Sequence, residues 1–279
     1  MTPPDFPARW RLSAPSLLTE TFSSRIWKAR LDDGGVAIVK DLKPFDDVED
    51  ELRGAHYLSW RQGRGGVRLF DGDNNLMLLE FAGARHLRDV LDNDGDTAAT
   101  EIAASVLGEL TAPSDLPYPA GLQLLRIRFA SLFAKAAADH RMGRTSLYVE
   151  AARTAERLLA VPRRLCPLHG DLHHDNIIEG PRGWLAIDPK GVLGDPAFDA
   201  ANMLYNPLER DDLCLAPDRI AHMAEVFAKV LDQDPRHILD HAIAYGCLSA
   251  AWHEADGNAE DEARELAVAS AICAVRARI

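Results

Sequence analysis

The period of the apolar residues changes once along this chain, near residues 80–84, and that change limits the fold to two unlike parts. Before it, apolar residues alternate in short runs with β-branched content. Residues 17–31 read as two strands around a polar turn, Asp32-Asp33-Gly34-Gly35 is a hairpin signal, and Val36–Lys40 is a third strand. Val67–Phe70 and Leu76–Glu80 make a further pair across Asp71-Gly72-Asp73-Asn74-Asn75. A single helix interrupts these strands. It is expected over residues 47–60, capped by Asp46-Asp47, with Val48, Leu52 and Ala55 at helical spacing, and Gly63–Gly66 ends it. Residues 1–82 therefore predict a compact α+β lobe. Residues 83–279 predict a mostly helical one, with helices near 86–92, 97–111, 122–140, 146–160, 197–205, 217–232, 236–254 and 261–277. Between the fourth and fifth of these, 176–178 and 184–187 form a short hairpin.

Composition removes several function classes. The 279 residues carry a net charge of −12 with no basic stripe, which argues against nucleic acid and suits a small cationic ligand. The four cysteines, at 166, 214, 247 and 273, have neither C-x-x-C pairing nor regular spacing, so neither a zinc ribbon nor a disulfide framework is expected. The first residues combine prolines with an Asp where a signal peptide would be basic and then apolar, and no apolar run is long enough to span a bilayer. A cytoplasmic protein with no membrane segment and no evident obligate protein partner is expected.

The chemistry concentrates in His169-Gly170-Asp171-Leu172-His173-His174-Asp175-Asn176 and in Ile187-Asp188-Pro189-Lys190. Asp171, Asn176 five residues later, and Asp188 twelve beyond that match what phosphoryl transfer needs: a carboxylate to orient a hydroxyl, and an amide–carboxylate pair for Mg²⁺. Three histidines and two aspartates in eight residues also fit a metal cluster, but no second His/Asp cluster at ligand spacing follows, and that reading leaves Lys40 and Asp188 unexplained. Lys40 ends an apolar strand and precedes a helix bearing Glu49 and Glu51. Glu51 is the expected partner of Lys40, because it adjoins Leu52 on the face taken to turn toward the sheet. The turn Thr21-Phe22-Ser23-Ser24 lies where a phosphate-covering loop belongs, with Ser23 and Ser24 as donors. Glu80-Phe81-Ala82 is the connection that could present backbone groups of Glu80 and Ala82 to an adenine. Pro189 stiffens the chain after Asp188. Asp195 or Asp199 is expected to anchor the 169–176 loop, and neither His173 nor His174 is given a catalytic role.

These segments together resemble the aminoglycoside phosphotransferase superfamily, whose members look like protein kinases with a helical, substrate-specific second lobe. Further matching runs include Phe22-Ser23-Ser24, Ala37–Lys40, Asn75–Glu80, Trp184–Asp188, Ala200–Tyr205 and Tyr245–Trp252. Their spread over nearly the whole chain makes the likeness closest to the branch that phosphorylates the 6-hydroxyl of streptomycin, grouped with hydroxyurea-type resistance kinases. The resemblance implies ATP and Mg²⁺, with Asp171 orienting the acceptor hydroxyl, Asn176 and Asp188 on the metal, and Lys40 with Glu51 fixing the α- and β-phosphates. It implies a cationic aminoglycoside as substrate, with Glu254 and Asp256 as candidate contacts. Alternatives are a kinase for another small hydroxylated substrate such as hydroxyurea, or a nucleotide-binding protein without transfer activity.

Overall fold

The computed structural model describes residues 2–44 and 48–279. The Asp46-Asp47 cap lies outside the described residues. Strands β1 (Ser13–Glu20), β2 (Ser24–Arg30) and β3 (Val36–Leu42) are followed by helix α1 (Val48–Arg61), β4 (Leu69–Asp73) and β5 (Leu76–Glu80). The strands form one antiparallel sheet in the order β1-β2-β3-β5-β4.

Period-two alternation decides which face each side chain takes. The register pairs Trp27 with Val39 and Ile26 with Lys40. Trp27, Ala37, Val39, Leu76 and Leu78 therefore share the outer face, where a 3₁₀ turn at Ala8–Trp10 covers them with Trp10. That strap is pinned by Arg9 on Asp71 and Asp73, at 2.7 and 2.6 Å, and by the Trp10 indole N–H on Asp71 at 2.6 Å. Ile26, Lys28, Ile38, Lys40, Met77 and Leu79 take the opposite face and line a cleft.

Helix α1 covers part of that second face, but not as its sequence pattern predicts. Leu52 is 40% exposed, whereas Glu51, Gly54, Tyr57 and Leu58 are buried. The inward stripe thus starts on Glu51 and Gly54, which a search for apolar spacing passes over, before it reaches Tyr57, Leu58 and Trp60.

A short connection, residues 81–84, leads into the second lobe. There β6 (Arg85–His86), α2 (Leu87–Asp94), α3 (Asp96–Thr111), β7 (Gln123–Leu124), α4 (Leu125–Arg128), α5 (Ala130–Arg141) and α6 (Leu147–Ala160) precede β8 (Cys166–Leu168). The hairpin β9 (Ile177–Gly180) and β10 (Gly183–Ala186) follows, joined by β6 into a small sheet. Then come β11 (Val192–Gly194), α7 (Ala197–Leu204), α8 (Asp211–Cys214), α9 (Pro217–Leu231), α10 (Pro235–Ala255) and α11 (Ala259–Arg276). The helix expected over 122–140 is broken. Gln123 pairs in parallel with Val192, and its N–H donates to Gly191 O at 3.0 Å, so sheet pairing overrides the local helical tendency. Helix α10 is the hub of this lobe, buried from Ile238 to Ala251 against α5, α6, α7, α9 and α11. No helix among the described residues is long and apolar enough to cross a membrane.

The outer cluster on the sheet is small, and Trp27 is the more deeply buried of its two tryptophans, 1% exposed. Trp27→Ala is expected to cost about 3–5 kcal/mol in urea unfolding. A loss below about 1 kcal/mol would show that this cluster does not hold the sheet's register.

Candidate active site

The 169–176 loop is held from beneath by α7. Asp199 accepts the backbone N–H groups of His169 and Gly170, one on each carboxylate oxygen, at 2.9 and 2.7 Å. Asp195 serves a different segment, accepting from Ala197 N at the start of α7 and from Arg163 N. Of the two candidate anchors, Asp199 takes the loop. The His169 ring sits at 2.8 Å from Ile187 O through Nε2 and accepts the Asp171 N–H on Nδ1, so its partners fix the Nε2-protonated tautomer. His174 packs fully buried under the loop, while His173 stays half-buried, its Nδ1 accepting from Asp175 N.

Asp171 opens from this loop with its carboxylate about one-third exposed. Asn202 of α7 donates to Asp171 Oδ1 at 3.1 Å, and Asn206 in turn orients the Asn202 amide by donating to its Oδ1 at 2.9 Å. Asn176 spends its Nδ2 on the Asp171 backbone carbonyl at 2.9 Å. That bond leaves Oδ1, an acceptor, as the remaining polar atom of an amide that lines the cleft.

Four charges meet beside these groups. Lys40 Nζ donates to Glu51 Oε2 and to Asp188 Oδ1. Lys190 Nζ donates to Glu51 Oε1 at 2.9 Å and lies 3.4 Å from Asp188 Oδ2. Lys40 and Glu51 are buried, so each charge needs its partners. Burial works against the charge of Asp188, yet the ammonium groups of Lys40 and Lys190 hold its carboxyl well below the usual range. Burial likewise opposes the charge of Lys190, and Asp188 and Glu51 outweigh it, keeping the ammonium above its ordinary pKa. The contact that brings α1 this close depends on two missing side chains. A Cβ on Gly54 would lie 1.9 Å from Pro189 O, and one on Gly191, whose φ is +64°, would lie 2.5 Å from Arg53 O. Only glycine at both places lets the helix reach the 188–191 segment.

The cleft between the lobes has a volume of about 440 Å³. The structure brings Ser24, Lys40, Glu51, Glu80, Ala82, Asn176 and Asp188 together around it. The Thr21–Ser24 turn closes one edge, with Thr21 Oγ1 taking the Ser24 N–H at 3.1 Å and facing Ser23 Oγ at 3.4 Å. The Glu80 carboxylate is committed elsewhere, to Arg182 at 2.6 and 2.8 Å and to Arg68 N, so only its backbone faces a ligand. Glu254 lies toward the end of α10, paired with Lys135 at 2.9 Å, and Asp256 follows as the exposed C-cap.

The family of aminoglycoside/hydroxyurea antibiotic resistance kinases matches residues 9–257. The chain belongs to that family. Its activity is therefore that of a phosphotransferase. It is 37% identical to a streptomycin 3''-kinase of Klebsiella pneumoniae over 254 residues, which cover 89% of this chain and 91% of that one. It is 30% identical to a streptomycin 6-kinase of Streptomyces glaucescens, with 95% and 86% covered. Among solved structures, an ethanolamine kinase of Plasmodium vivax superposes with a TM-score of 0.63 over 96% of this chain and 84% of that one. At 12% identity this likeness speaks for the fold alone.

Two site residues escaped sequence reasoning. Lys190 stands two residues after Asp188, but Asp188 adopts a left-handed φ of +60°, so no strand or helix spacing announces that both side chains meet Glu51 and Lys40. Asn202 follows Asp199 by three positions, a helical spacing that places both under the same loop.

Gly54→Ala is expected to push α1 off the 188–191 segment, lower stability by about 1–3 kcal/mol and reduce transfer activity. Wild-type Tm and turnover in that variant would show that the close approach is dispensable. Burial pushes the His169 pKa down to about 4 and that of His174 to about 3. A histidine depressed in this way contributes stability fully above its unfolded value near 6.5, and loses it as pH falls through the folded value. Burial raises Asp199 and Glu265 to about 7, which acts in the opposite sense over the same window, so ring titration is the direct measurement. The ring signals of His169 and His174 are expected to stay those of neutral imidazole from about pH 8 to about pH 5 in NMR titration. A midpoint near 6.5 for either would overturn this reading.

Proposed function

We propose that this protein transfers the γ-phosphoryl group of ATP to a hydroxyl of streptomycin. The observation that carries the phosphoryl-transfer half is the Lys40–Glu51–Asp188 cluster lining the interlobe cleft, with Asn176 on the same wall and Asp171 hydrogen-bonded to it. Residues 1–82 form the nucleotide-binding lobe in this reading, and residues 83–279 carry the catalytic loop and the acceptor site.

The residues present fit Mg²⁺ and ATP. Asn176 Oδ1 and the Asp188 carboxylate are hard oxygen donors of the kind Mg²⁺ prefers, and Asp188 is already held ionised. When bound, the metal neutralises charge on the transferring phosphoryl group. Lys40, oriented by Glu51, contacts the α- and β-phosphates, and the Ser23–Ser24 turn donates to phosphate oxygens. The backbone of Glu80–Ala82 faces the base. Asp171, its Oδ1 oriented by Asn202, aligns the acceptor hydroxyl and takes its proton as the oxygen attacks phosphorus.

The acceptor rests on kinship and charge. A net charge of −12 attracts a substrate carrying guanidinium groups, with Asp256 and the Lys135-shared Glu254 as its proposed contacts. The 37% identity to a streptomycin 3''-kinase, against 30% to a 6-kinase, favours the 3''-hydroxyl over the 6-hydroxyl expected from sequence.

Incubation with Mg-ATP and streptomycin, kanamycin or hydroxyurea is expected to give turnover with streptomycin, and NMR of the product to place the phosphate on the 3'' oxygen. Asp171→Asn should lower kcat by about 10²–10⁴-fold. Turnover with kanamycin or hydroxyurea instead of streptomycin would overturn the acceptor, and undiminished kcat in the variant would overturn the role of Asp171.

A further inference from the structure

Between the start of α7 and helix α10, three potential metal ligands converge. His237 and His241 stand four positions apart on α10, a spacing that puts both rings on one face of a helix. Asp195, at the start of α7, faces them. One donor atom from each residue lies within 4.8 Å of the other two. Asp195 and His241 are almost wholly buried, at 2% and 1% exposure, while the His237 side chain keeps 10%, which leaves a way in from solvent.

A plain hydrogen-bonded reading accounts for only half of this cluster. His237 Nε2 lies 3.1 Å from Asp195 Oδ2, and an N–H donated there would satisfy both. It does nothing for His241, whose two ring nitrogens are buried without a hydrogen-bond partner although its ring lies 4.8 Å from that of His237. Nor does it help Gln233. That amide donates Nε2 to Asp195 Oδ1 at 3.0 Å, while its Oε1 is buried and unpartnered. Buried polar atoms are seldom left unsatisfied, and several around one carboxylate point to a missing electron-pair acceptor. A divalent ion is such a group.

We propose that Asp195, His237 and His241 bind one transition-metal ion of the Zn²⁺ class, clamping the start of α7 to α10. Two imidazoles and a carboxylate are a suitable ligand set for Zn²⁺, with water or Gln233 Oε1 completing a tetrahedron. Tetrahedral Zn²⁺ with ligands at about 2.0–2.2 Å sets donor atoms roughly 3.3 Å apart, close to the existing His237–Asp195 separation. Metal binding takes the His237 Nε2 lone pair, so the neutral ring carries its single proton on Nδ1 instead of donating it to Asp195. The backbone donors Arg163 N and Ala197 N keep the carboxylate oriented, as the outer partners of a ligand do. The consequence is mechanical. Helix α7 also carries Asp199 and Asn202, so a fixed N-terminus fixes the loop that presents Asp171. This inference does not rest on the identity of the acceptor or of the catalytic residues.

The test uses untagged full-length protein prepared with Zn²⁺ and dialysed against metal-free buffer. About one equivalent of zinc per chain is expected by elemental analysis, with an absorption band of four-coordinate Co²⁺ after exchange and a Tm rise of roughly 5 °C on adding Zn²⁺. His237→Gln, at the most exposed ligand, should lose the metal and the Tm response while keeping its far-UV circular dichroism. Asp188→Asn, in the cleft, should retain both. Wild-type protein with neither bound zinc, Co²⁺ band nor Tm response would overturn the site and leave an Asp–His hydrogen bond in its place. So would zinc that persists in His237→Gln or disappears in Asp188→Asn. The Co²⁺ spectrum of the unmutated chain decides the question even if His237→Gln fails to fold.

Discussion

A carboxylate held between two ammonium groups is what the two lobes have in common. Glu51 comes from helix α1 of the sheet lobe, Lys40 from its central strand, and Lys190 from the segment after β10 in the other lobe. None of these charges is tolerable alone at such burial, because each would lose its hydration without compensation. The cluster therefore ties the relative position of the lobes to a local electrostatic requirement. Asp188 closes the ring, so the carboxylate proposed to meet a metal is the one that keeps the two lysines apart. Gly54 and Gly191 make the arrangement sterically possible by letting backbone meet backbone.

Helix α7 plays the matching part on the other side of the site. Asp195 just before it, and Asp199 and Asn202 along it, face in turn the α10 histidines, the loop backbone and the Asp171 carboxylate. Because α7 is buried throughout, its polar residues are each committed to a partner, and they transmit position rather than carry charge to solvent. The fully buried Tyr205 adds a final bond from its hydroxyl to Ala242 O, at 2.8 Å, which locks the end of α7 to α10. The loop is thus tied by hydrogen bonds to the helical core beneath it, which suits the hydroxyl-orienting role proposed for Asp171.

Much of this could be read in the chain before folding. Alternation over Val36–Lys40 already separates the outer residues Ala37 and Val39 from Lys40, because strand geometry fixes opposite faces for neighbours. The spacing of Asp171, Asn176 and Asp188 likewise implies convergence, since a tight loop and a hairpin leave little freedom between them. Asp199 as the loop anchor was one of two readings, and local pattern could not choose between it and Asp195.

What the sequence by itself determined are the consequences of short-range geometry: strand faces, the position of the hairpin, the change to helices and the family kinship. Tertiary structure decided the rest, wherever a residue's role depends on a partner distant along the chain. Leu52 turned outward and Glu51 inward, because the close approach at Gly54, not apolar spacing, sets the roll of α1. Gln123 joined a sheet because β11 offered an open edge. Asp195 met His237 from 42 positions away, beyond the reach of any search for adjacent ligands. Long-range contacts are fixed by packing of whole elements, and no local propensity encodes which distant side chain will arrive.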